Sequence, residues 1–393
     1  VPEAAAAGQL YVSAENAEYA NSFNGFQIVE VVVRDPQRSQ TDESQGEPVV
    51  RVNSNVLRMA QGADGNWYAY FASHSHLIAA DVADNNLNFG TDAVLAQDTA
   101  TVTWNKTGNI SVYTNAAAGV IGNAPALSQH NVTSVGDGGS TTEAYQNTDG
   151  TSVSGQTGVR TTEWPVIQTF DLTIGTFDVV LEQAGADEVV TLDHETGDID
   201  AFAGIAFDRT SATQGSEIHI TITDPGLNID PTAEDIVIFK VRNNNTGSLS
   251  STAGLSGDRA SMSFTNGTLP EVNTSETAHG HGIEASYYKP ATNSFGDNGL
   301  LTINNNTNGA IGTVFINDAT LDDVTADEFM VFWETAENTG VFVNTDDNDD
   351  SNLNVSTSAK RGTTATFNFN DSSYSFVVAN DFGTIDMVES SVG

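Results

Sequence analysis

The sequence of 393 residues contains no cysteine and very few basic residues. The absence of cysteine excludes disulfide bonds, thiolate metal sites and a cysteine nucleophile. Only 13 Lys and Arg oppose 52 Asp and Glu, so the formal net charge is −39. Nucleic acid is therefore excluded as a partner, because its binding requires basic groups that displace counterions from phosphates. Attraction to an anionic membrane surface is disfavoured for the same reason.

Long apolar runs and catalytic motifs are also missing. No stretch approaches the roughly 18 consecutive apolar residues that a membrane-spanning helix requires, so we expect no transmembrane segment. The sequence has no GxSxG elbow, no Walker loop and no GxGxxG motif. We therefore expect a protein that is not an enzyme.

The excess of acidic residues predicts a surface that depends on salt. A compact chain of 41.4 kDa exposes roughly 15,000 Å², which gives about one net negative charge per 400 Å². The Debye length is about 8 Å at physiological ionic strength and about 30 Å at 0.01 M. Because few internal cations oppose the carboxylates, small cations from the medium must neutralise them. We interpret the chain as one built for a salty medium.

Apolar residues recur with a period of two along most of the chain. Val29, Val31 and Val33 share one face of a predicted strand, and Ile218 and Ile220 share one face of another. Similar runs, separated by Gly, Asn, Asp and Ser, lie at 49–53, 66–72, 99–104, 167–183, 188–193, 235–241, 300–305, 312–317, 329–334, 364–370 and 374–380. This pattern predicts an all-β chain with a single helix at 74–86.

The first strand motif recurs later in the chain. It ends in Asp35-Pro36, and its second copy ends in Asp224-Pro225, 189 residues further on. The repeat predicts two related units, 1–200 and 201–393, with a junction within 194–204. Each unit is longer than a simple seven-stranded sandwich, so we predict insertions around 117–163 and 243–276.

Three long segments carry a family resemblance. Residues 204–239 (GIAFDRTSATQGSEIHITITDPGLNIDPTAEDIVIF), 332–355 (FWETAENTGVFVNTDDNDDSNLNV) and 31–72 together cover about a quarter of the chain. They resemble the repeated Ig-like domains of archaeal S-layer proteins, particularly those of marine ammonia-oxidising archaea. The resemblance implies tandem Ig-like β-sandwiches, divalent cation binding, N-glycans and self-assembly into a two-dimensional lattice around the cell.

Acidic residues follow each copy of the repeated strand, namely Asp35, Asp42 and Glu47 in the first and Asp224, Asp230 and Asp235 in the second. Carboxylates at strand ends can converge with backbone carbonyls, and Ca²⁺ binds six to eight such oxygens in irregular geometry. One interpretation is a structural Ca²⁺ clip that ties the loop to its sandwich. The other is a solvated surface loop.

A denser acidic cluster contains Asp346, Asp347, Asp349 and Asp350. Its alternation resembles the start of an EF-hand loop. However, Ser351 stands where that loop needs glycine, and Thr357 stands where it needs glutamate, so an EF-hand is excluded. Four carboxylates this close repel one another unless a cation neutralises them. A different cation site and a turn between strands both remain as interpretations.

Nine Asn-x-Ser/Thr triplets are candidate N-glycosylation acceptors, at Asn105, Asn109, Asn131, Asn244, Asn266, Asn273, Asn305, Asn354 and Asn370. Such acceptors indicate an extracellular protein at the cell surface. We interpret the chain as a structural subunit of an S-layer lattice that associates with copies of itself and attracts small cations. The alternatives are a cell-surface adhesin or filament stalk, and the accessory domains of a secreted hydrolase.

Overall fold

The computed structural model describes residues 9–24, 27–40, 47–62, 64–77, 104–106, 109–111, 118–121, 158–159, 165–172, 175–194, 199–242, 255–263, 301–304, 311–313, 327–345, 351, 353–355, 357, 359–369 and 372–380. Within them the chain is built mainly of β-strands. The prediction of an all-β chain is therefore confirmed.

Fourteen described strands precede residue 200: β1 (Leu10–Val12), β2 (Ser22–Phe23), β3 (Val29–Val33), β4 (Val50–Val52), β5 (Asn55–Leu57), β6 (Ala60–Gln61), β7 (Trp67–Ser73), β8 (Trp104–Lys106), β9 (Asn109–Ser111), β10 (Ala118–Ile121), β11 (Gly158–Val159), β12 (Ile167–Phe170), β13 (Gly175–Leu181) and β14 (Glu188–His194). Helical structure is scarce among the described residues of this part. A 3₁₀ helix spans Ala17–Tyr19, and residues 74–77 are helical where the sequence predicts a helix to begin. The remainder of that predicted helix lies outside the described residues.

Twelve described strands follow: β15 (Gly204–Phe207), β16 (Ser211–Ala212), β17 (Ile220–Thr223), β18 (Ile236–Arg242), β19 (Leu255–Ser263), β20 (Leu301–Asn304), β21 (Ile311–Thr313), β22 (Asp327–Glu334), β23 (Val341–Val343), β24 (Leu353–Val355), β25 (Thr364–Phe369) and β26 (Ser372–Val378). Two further 3₁₀ helices span Ile199–Phe202 and Pro225–Leu227.

Two sheets form the core of the first part. One has the order β1-β3-β7-β12-β10, with β6 also paired to β7, and the other has the order β2-β14-β13-β4-β5. The pairs β12–β7 and β14–β2 are parallel. Side chains from both sheets belong to a single buried cluster. The two sheets therefore pack face to face.

Aromatic rings fill the space between these sheets. Phe23 contacts Phe71 and Phe177 edge to face, with ring centroids 6.3 and 5.9 Å apart. Trp67 is fully buried, and its indole N–H donates to the carbonyl oxygen of Arg38 at 3.0 Å. Buried and exposed residues alternate along β13 and β14, as expected for strands that cover a core on one face.

The long apolar run at 167–183 forms two strands rather than one. Its first half is β12, which pairs with β7 and β10, whereas its second half is β13, which pairs with β4 and β14 in the other sheet. Gly175 begins β13 with a φ of 113°, a backbone conformation that other residues rarely adopt. The run therefore crosses from one sheet to the other beside a glycine.

The second part contains a path of ten paired strands, in the order β15-β17-β23-β22-β18-β19-β20-β25-β26-β16. Strands β21 and β24 pair separately, and β11, β8 and β9 of the first part form a small three-stranded sheet. Strands β10 and β19 lie inside the segments that the sequence predicts to be insertions. Both belong to the large sheets.

The two copies of the repeated motif have similar surroundings. Strand β3 lies between β1 and β7, and β17 lies between β15 and β23, with antiparallel pairing throughout. In each copy the Asp carboxylate accepts from the backbone N–H two residues on: Asp35 from Gln37 and Asp224 from Gly226, each at 2.9 Å. The local turn is therefore the same, while the homology and bounds of the two units stay predictions.

Glu188, the first residue of β14, joins the two sheets of the first part. Its carboxylate accepts from the backbone N–H groups of Gln9 and Leu10 at 3.0 and 2.9 Å, next to β1. Replacing Glu188 with alanine leaves both donors without this acceptor, so we expect the free energy of unfolding to fall by about 1–3 kcal/mol. Chemical denaturation measures this change.

A charge-matched control is Glu15→Ala, because Glu15 is exposed and makes no side-chain hydrogen bond among the described residues. We expect this variant to change stability by no more than about 0.5 kcal/mol. Equal effects of the two substitutions would contradict the role assigned to Glu188.

Candidate functional site: the two acidic loops

The acidic loop of the first copy is neutralised by arginines. Asp35 forms an ion pair with Arg38, with 3.2 Å between Oδ2 and Nε. Glu47 accepts from Nε of Arg58 at 2.9 Å, and both side chains are about nine-tenths buried. Asp42 lies outside the described residues. For Asp35 and Glu47, the partner charge is already supplied by the chain itself.

Backbone contacts hold Arg58 in this position. The amide of Gln168 in β12 accepts from the backbone N–H of Arg58 at 2.8 Å and donates to its carbonyl oxygen at 2.7 Å. The Glu47 carboxylate also accepts from the backbone N–H of Met59 at 2.7 Å. The ion pair is therefore part of a network that links β12 to the segment after β5, which makes it a structural feature.

The acidic loop of the second copy is buried rather than solvated. Asp224, Asp230 and Asp235 are 0%, 3% and 4% exposed. Asp230 accepts from the backbone N–H of Thr232 at 2.9 Å. Oδ2 of Asp235 accepts from the backbone N–H groups of Ile229 and Asp230. These carboxylates therefore stabilise the turns of their own loop.

Glu334, the last residue of β22, is a member of this cluster that the sequence analysis missed. It is 2% exposed. Its Oε1 accepts from the backbone N–H groups of Thr339 and Gly340 at 2.6 and 2.7 Å, and its Oε2 accepts from that of Asp235 at 3.0 Å. Glu334 thus ties the acidic loop to the turn between β22 and β23. The sequence signal is an acidic residue directly after the apolar run at 329–333.

The electrostatics of this second cluster differ from those of the first. Neither Asp235 nor Glu334 forms an ion pair with a basic side chain among the described residues. Burial, together with the charges of Glu334 and Asp230, raises the pKa of Asp235 well above its usual value. Burial also raises the pKa of Glu334, although several backbone N–H groups oppose that shift. At the repeat offset, Leu227 stands where the first copy has Arg38.

The buried loop also forms a junction with the first part of the chain. The backbone N–H of Ile28 donates to the carbonyl oxygen of Ile229 at 3.2 Å. The side-chain amide of Gln27 donates to the carbonyl oxygens of Pro225 and Asn228. The loop therefore connects the two parts through backbone atoms.

The turn between β22 and β23 is placed closely against this loop. Gly340 has a φ of 64°, and a Cβ atom built there would lie 2.7 Å from Cα of Pro225. The backbone N–H of Asp224 donates to the carbonyl oxygen of Gly340 at 2.7 Å. A residue larger than glycine is excluded here by both space and backbone conformation.

The carboxylates of the two acidic loops are the predicted ligands of Ca²⁺. Among the described residues, no group of three or more His, Asp or Glu side chains is arranged to hold a metal ion. The Asp35 and Glu47 carboxylates bind guanidinium groups, and the Asp230 and Asp235 carboxylates bind backbone N–H groups. Asp42 lies outside the described residues, and the Ca²⁺ clip stays a prediction for both loops.

The third predicted cluster, Asp346, Asp347, Asp349 and Asp350, lies outside the described residues. Its flanking residues are described, and Thr345 and Ser351 form an antiparallel bridge. A cation site there stays a prediction.

The predicted glycosylation acceptors have different locations. Asn105 lies in β8, Asn109 in β9 and Asn354 in β24. Asn354 is half-buried, and its backbone pairs with Gly312 and Glu217. The other six acceptors lie outside the described residues: Asn131, Asn244, Asn266, Asn273, Asn305 and Asn370.

Comparisons with known proteins assign no family. No family model matches the sequence, and no curated protein matches it significantly. In the part of the chain that the structure describes, no helix has the length and apolar character needed to cross a membrane. Functional inference therefore depends on the residues themselves.

The buried carboxyl group of Asp235 makes stability depend on pH. Because its folded-state pKa is raised, its stabilising contribution is complete below the usual value of 3.8 and is lost as pH rises through the folded-state pKa. In Asp235→Asn one amide oxygen can still accept from Ile229 and Asp230. We expect this variant to gain stability relative to the wild type as pH rises from 3.8 towards 7.

Urea denaturation in the presence of a chelator, repeated across that pH range, measures the difference. The control is Asp178→Asn, which neutralises an exposed carboxylate in β13. If the difference in the free energy of unfolding between the wild type and Asp235→Asn stays constant with pH, then Asp235 ionises in the folded state at no extra free-energy cost.

Proposed function

We propose that this chain is a structural subunit of an extracellular S-layer lattice, built from tandem Ig-like β-sandwiches and without enzymatic activity. The observation that carries the proposal is a buried, hydrogen-bonded junction between two β-sheet assemblies in a chain of net charge −39. The resemblance of residues 204–239, 332–355 and 31–72 to archaeal S-layer proteins supports the same conclusion.

The junction restricts movement between the two parts. Besides the contacts of Gln27 and Ile28, the hydroxyl of Tyr19 donates to the carbonyl oxygen of Thr339 at 2.9 Å. The side chain of Asn338 donates to the carbonyl oxygen of Ser13 at 2.9 Å. Domains joined by a simple linker move independently. A lattice subunit instead needs a fixed relation between its domains, because each one contacts neighbouring copies.

Most of the described acidic residues lie on the surface. The exceptions are Glu30, Asp224, Asp230, Asp235 and Glu334, which are buried, and Glu47, whose side chain is nearly so. Contacts between copies must therefore bring negative surfaces together. Divalent ions can bridge carboxylates directly, whereas monovalent salt only screens them. We assign Ca²⁺ a structural role between such surfaces, with small cations as the chain's other partners.

Assembly should therefore depend on ions more strongly than folding does. Both parts of the chain bury apolar side chains, so we expect far-UV circular dichroism to report intact β-structure at all Ca²⁺ concentrations. We expect ordered arrays or tubes at millimolar Ca²⁺ and soluble subunits after chelation at 0.01 M salt, where the Debye length of about 30 Å exceeds the spacing of surface charges. Light scattering and negative-stain microscopy through a Ca²⁺ titration measure this.

Other outcomes of that titration contradict specific parts of the proposal. Arrays that persist in chelator at 0.01 M salt would show that apolar contacts hold the lattice. Single filaments without two-dimensional order would favour an adhesin or stalk. Turnover on a panel of glycans would favour the accessory domains of a hydrolase.

The acidic segment 346–350 is the site where we propose that Ca²⁺ stabilises the subunit itself. A ligand that binds only the folded state raises the free energy of unfolding by about 2.7 kcal/mol when its free concentration is 100 times its Kd. We expect Ca²⁺ to raise the Tm of the wild type, and Asp347→Asn to reduce that increase. Differential scanning calorimetry in EDTA and in millimolar Ca²⁺ measures both.

Glu15→Gln is the charge-matched control, because it removes one exposed carboxylate far from this loop in the sequence. It should leave the Ca²⁺-dependent increase unchanged. Equal Tm values of the wild type in EDTA and Ca²⁺ would refute a stabilising site anywhere in the chain.

A further inference from the structure

A small cavity lies within the junction between the two parts of the chain. Its walls come from nine described residues between Ser13 and Val29 on one side and from Pro225, Asn228 and Asn338 on the other. Its volume is about 30 Å³. A cavity needs roughly 10–15 Å³ to admit one water molecule. The cavity therefore has room for one or two water molecules and is too small for an organic ligand.

Asn228 lines this cavity, and its side chain carries an unsatisfied acceptor. Its side chain is 8% exposed, its Nδ2 donates to Oδ1 of Asn338 at 2.8 Å, and its carbonyl oxygen accepts from Gln27 at 2.8 Å. Its Oδ1 is buried and accepts no hydrogen bond from any described residue. Buried polar atoms in folded proteins nearly always have a partner. The missing partner must be a hydrogen-bond donor.

Two hydroxyl groups in the cavity wall complete a set of partners. The hydroxyl oxygen of Ser13 accepts from the backbone N–H of Glu30 at 2.9 Å, which leaves its hydrogen available to donate. The hydroxyl of Tyr19 donates to the carbonyl oxygen of Thr339, which leaves its lone pairs available to accept. A buried water typically makes two to four hydrogen bonds, as donor and as acceptor. The wall supplies both kinds of partner.

The wall also distinguishes water from a metal ion. No Asp or Glu side chain lines the cavity, whereas Ca²⁺ prefers six to eight oxygen ligands that include carboxylates. Water supplies the donor that Oδ1 of Asn228 lacks, and a bare metal ion supplies none. A neutral ligand fits this uncharged wall best.

We propose that this cavity is an ordered-water site that bridges the two parts of the chain. One or two water molecules donate to Oδ1 of Asn228 and connect it to the hydroxyl groups on the opposite wall. The water completes the hydrogen bonding of the junction that Gln27 and Asn338 form directly.

Filling the cavity tests the proposal through the sign of the stability change. Ala14 lines the cavity and packs against the core, so Ala14→Val places extra methyl groups there. If the cavity holds water, the substitution displaces it and leaves Asn228 unsatisfied, and we expect Tm to fall by about 2–4 °C. A rise in Tm would show an empty cavity and overturn the proposal.

The control separates water displacement from simple crowding. Asn228→Ala removes the acceptor and enlarges the space, so Ala14→Val made in that background should no longer lower Tm. An equal loss in both backgrounds would attribute the effect to crowding and overturn the proposal.

Direct observation of the full chain provides an independent test that needs no variant. High-resolution crystallography should show a density peak at 2.7–3.2 Å from Oδ1 of Asn228, the distance of a hydrogen bond. An empty cavity, or a peak surrounded only by oxygens at the 2.3–2.6 Å typical of Ca²⁺, would overturn it.

Discussion

The constraint that shapes this molecule is the shortage of basic side chains for its carboxylates. With 52 acidic and 13 basic residues, arginine and lysine cannot pair with every acid that the fold buries. The first acidic loop uses two of the available arginines, as in the Glu47–Arg58 pair. The second loop relies on backbone N–H groups, which bind Asp235 and Glu334 from several turns at once. Because these amides belong to separate segments, the hydrogen bonds that hold the two carboxylates also connect those segments.

Much of this architecture is predictable from the sequence because strands impose a local period. The runs at 29–33, 66–72, 188–193 and 364–370 all contain strands, as alternating apolar residues predict. The run at 167–183 is a partial exception, since the same alternation continues through a change of sheet at Gly175. Periodicity reports that a segment is extended and has a buried face, but it does not report which sheet the segment joins. That choice depends on pairing partners that are distant in the sequence, such as Val52, which pairs with Val179.

The acidic loops show the same division between local and long-range information. The Asp-Pro turns could be predicted from position alone, because an aspartate after a strand readily accepts from the N–H two residues on. The part played by Glu334 could not, because it lies 99 residues from Asp235 along the chain. The two meet only because β18 and β22 pair, with Ile236 opposite Trp333. Backbone amides hold the buried Asp235 carboxylate of the second loop, a contact that the sequence did not predict, while the Ca²⁺ clip stays a prediction.

Exposed and buried carboxylates respond differently to the surrounding medium. Exposed carboxylates interact across water, where salt screens them within about 8 Å at physiological ionic strength. Buried carboxylates are screened far less, so their free energy depends on proton binding rather than on dissolved salt. Asp235 and Glu334 accept from backbone N–H groups of the loop and the turn that meet the first part of the chain, so their protonation is linked to the place where the two parts join. In the proposed lattice, ionic strength would act on the contacts between copies, whereas pH would act on the junction within each copy.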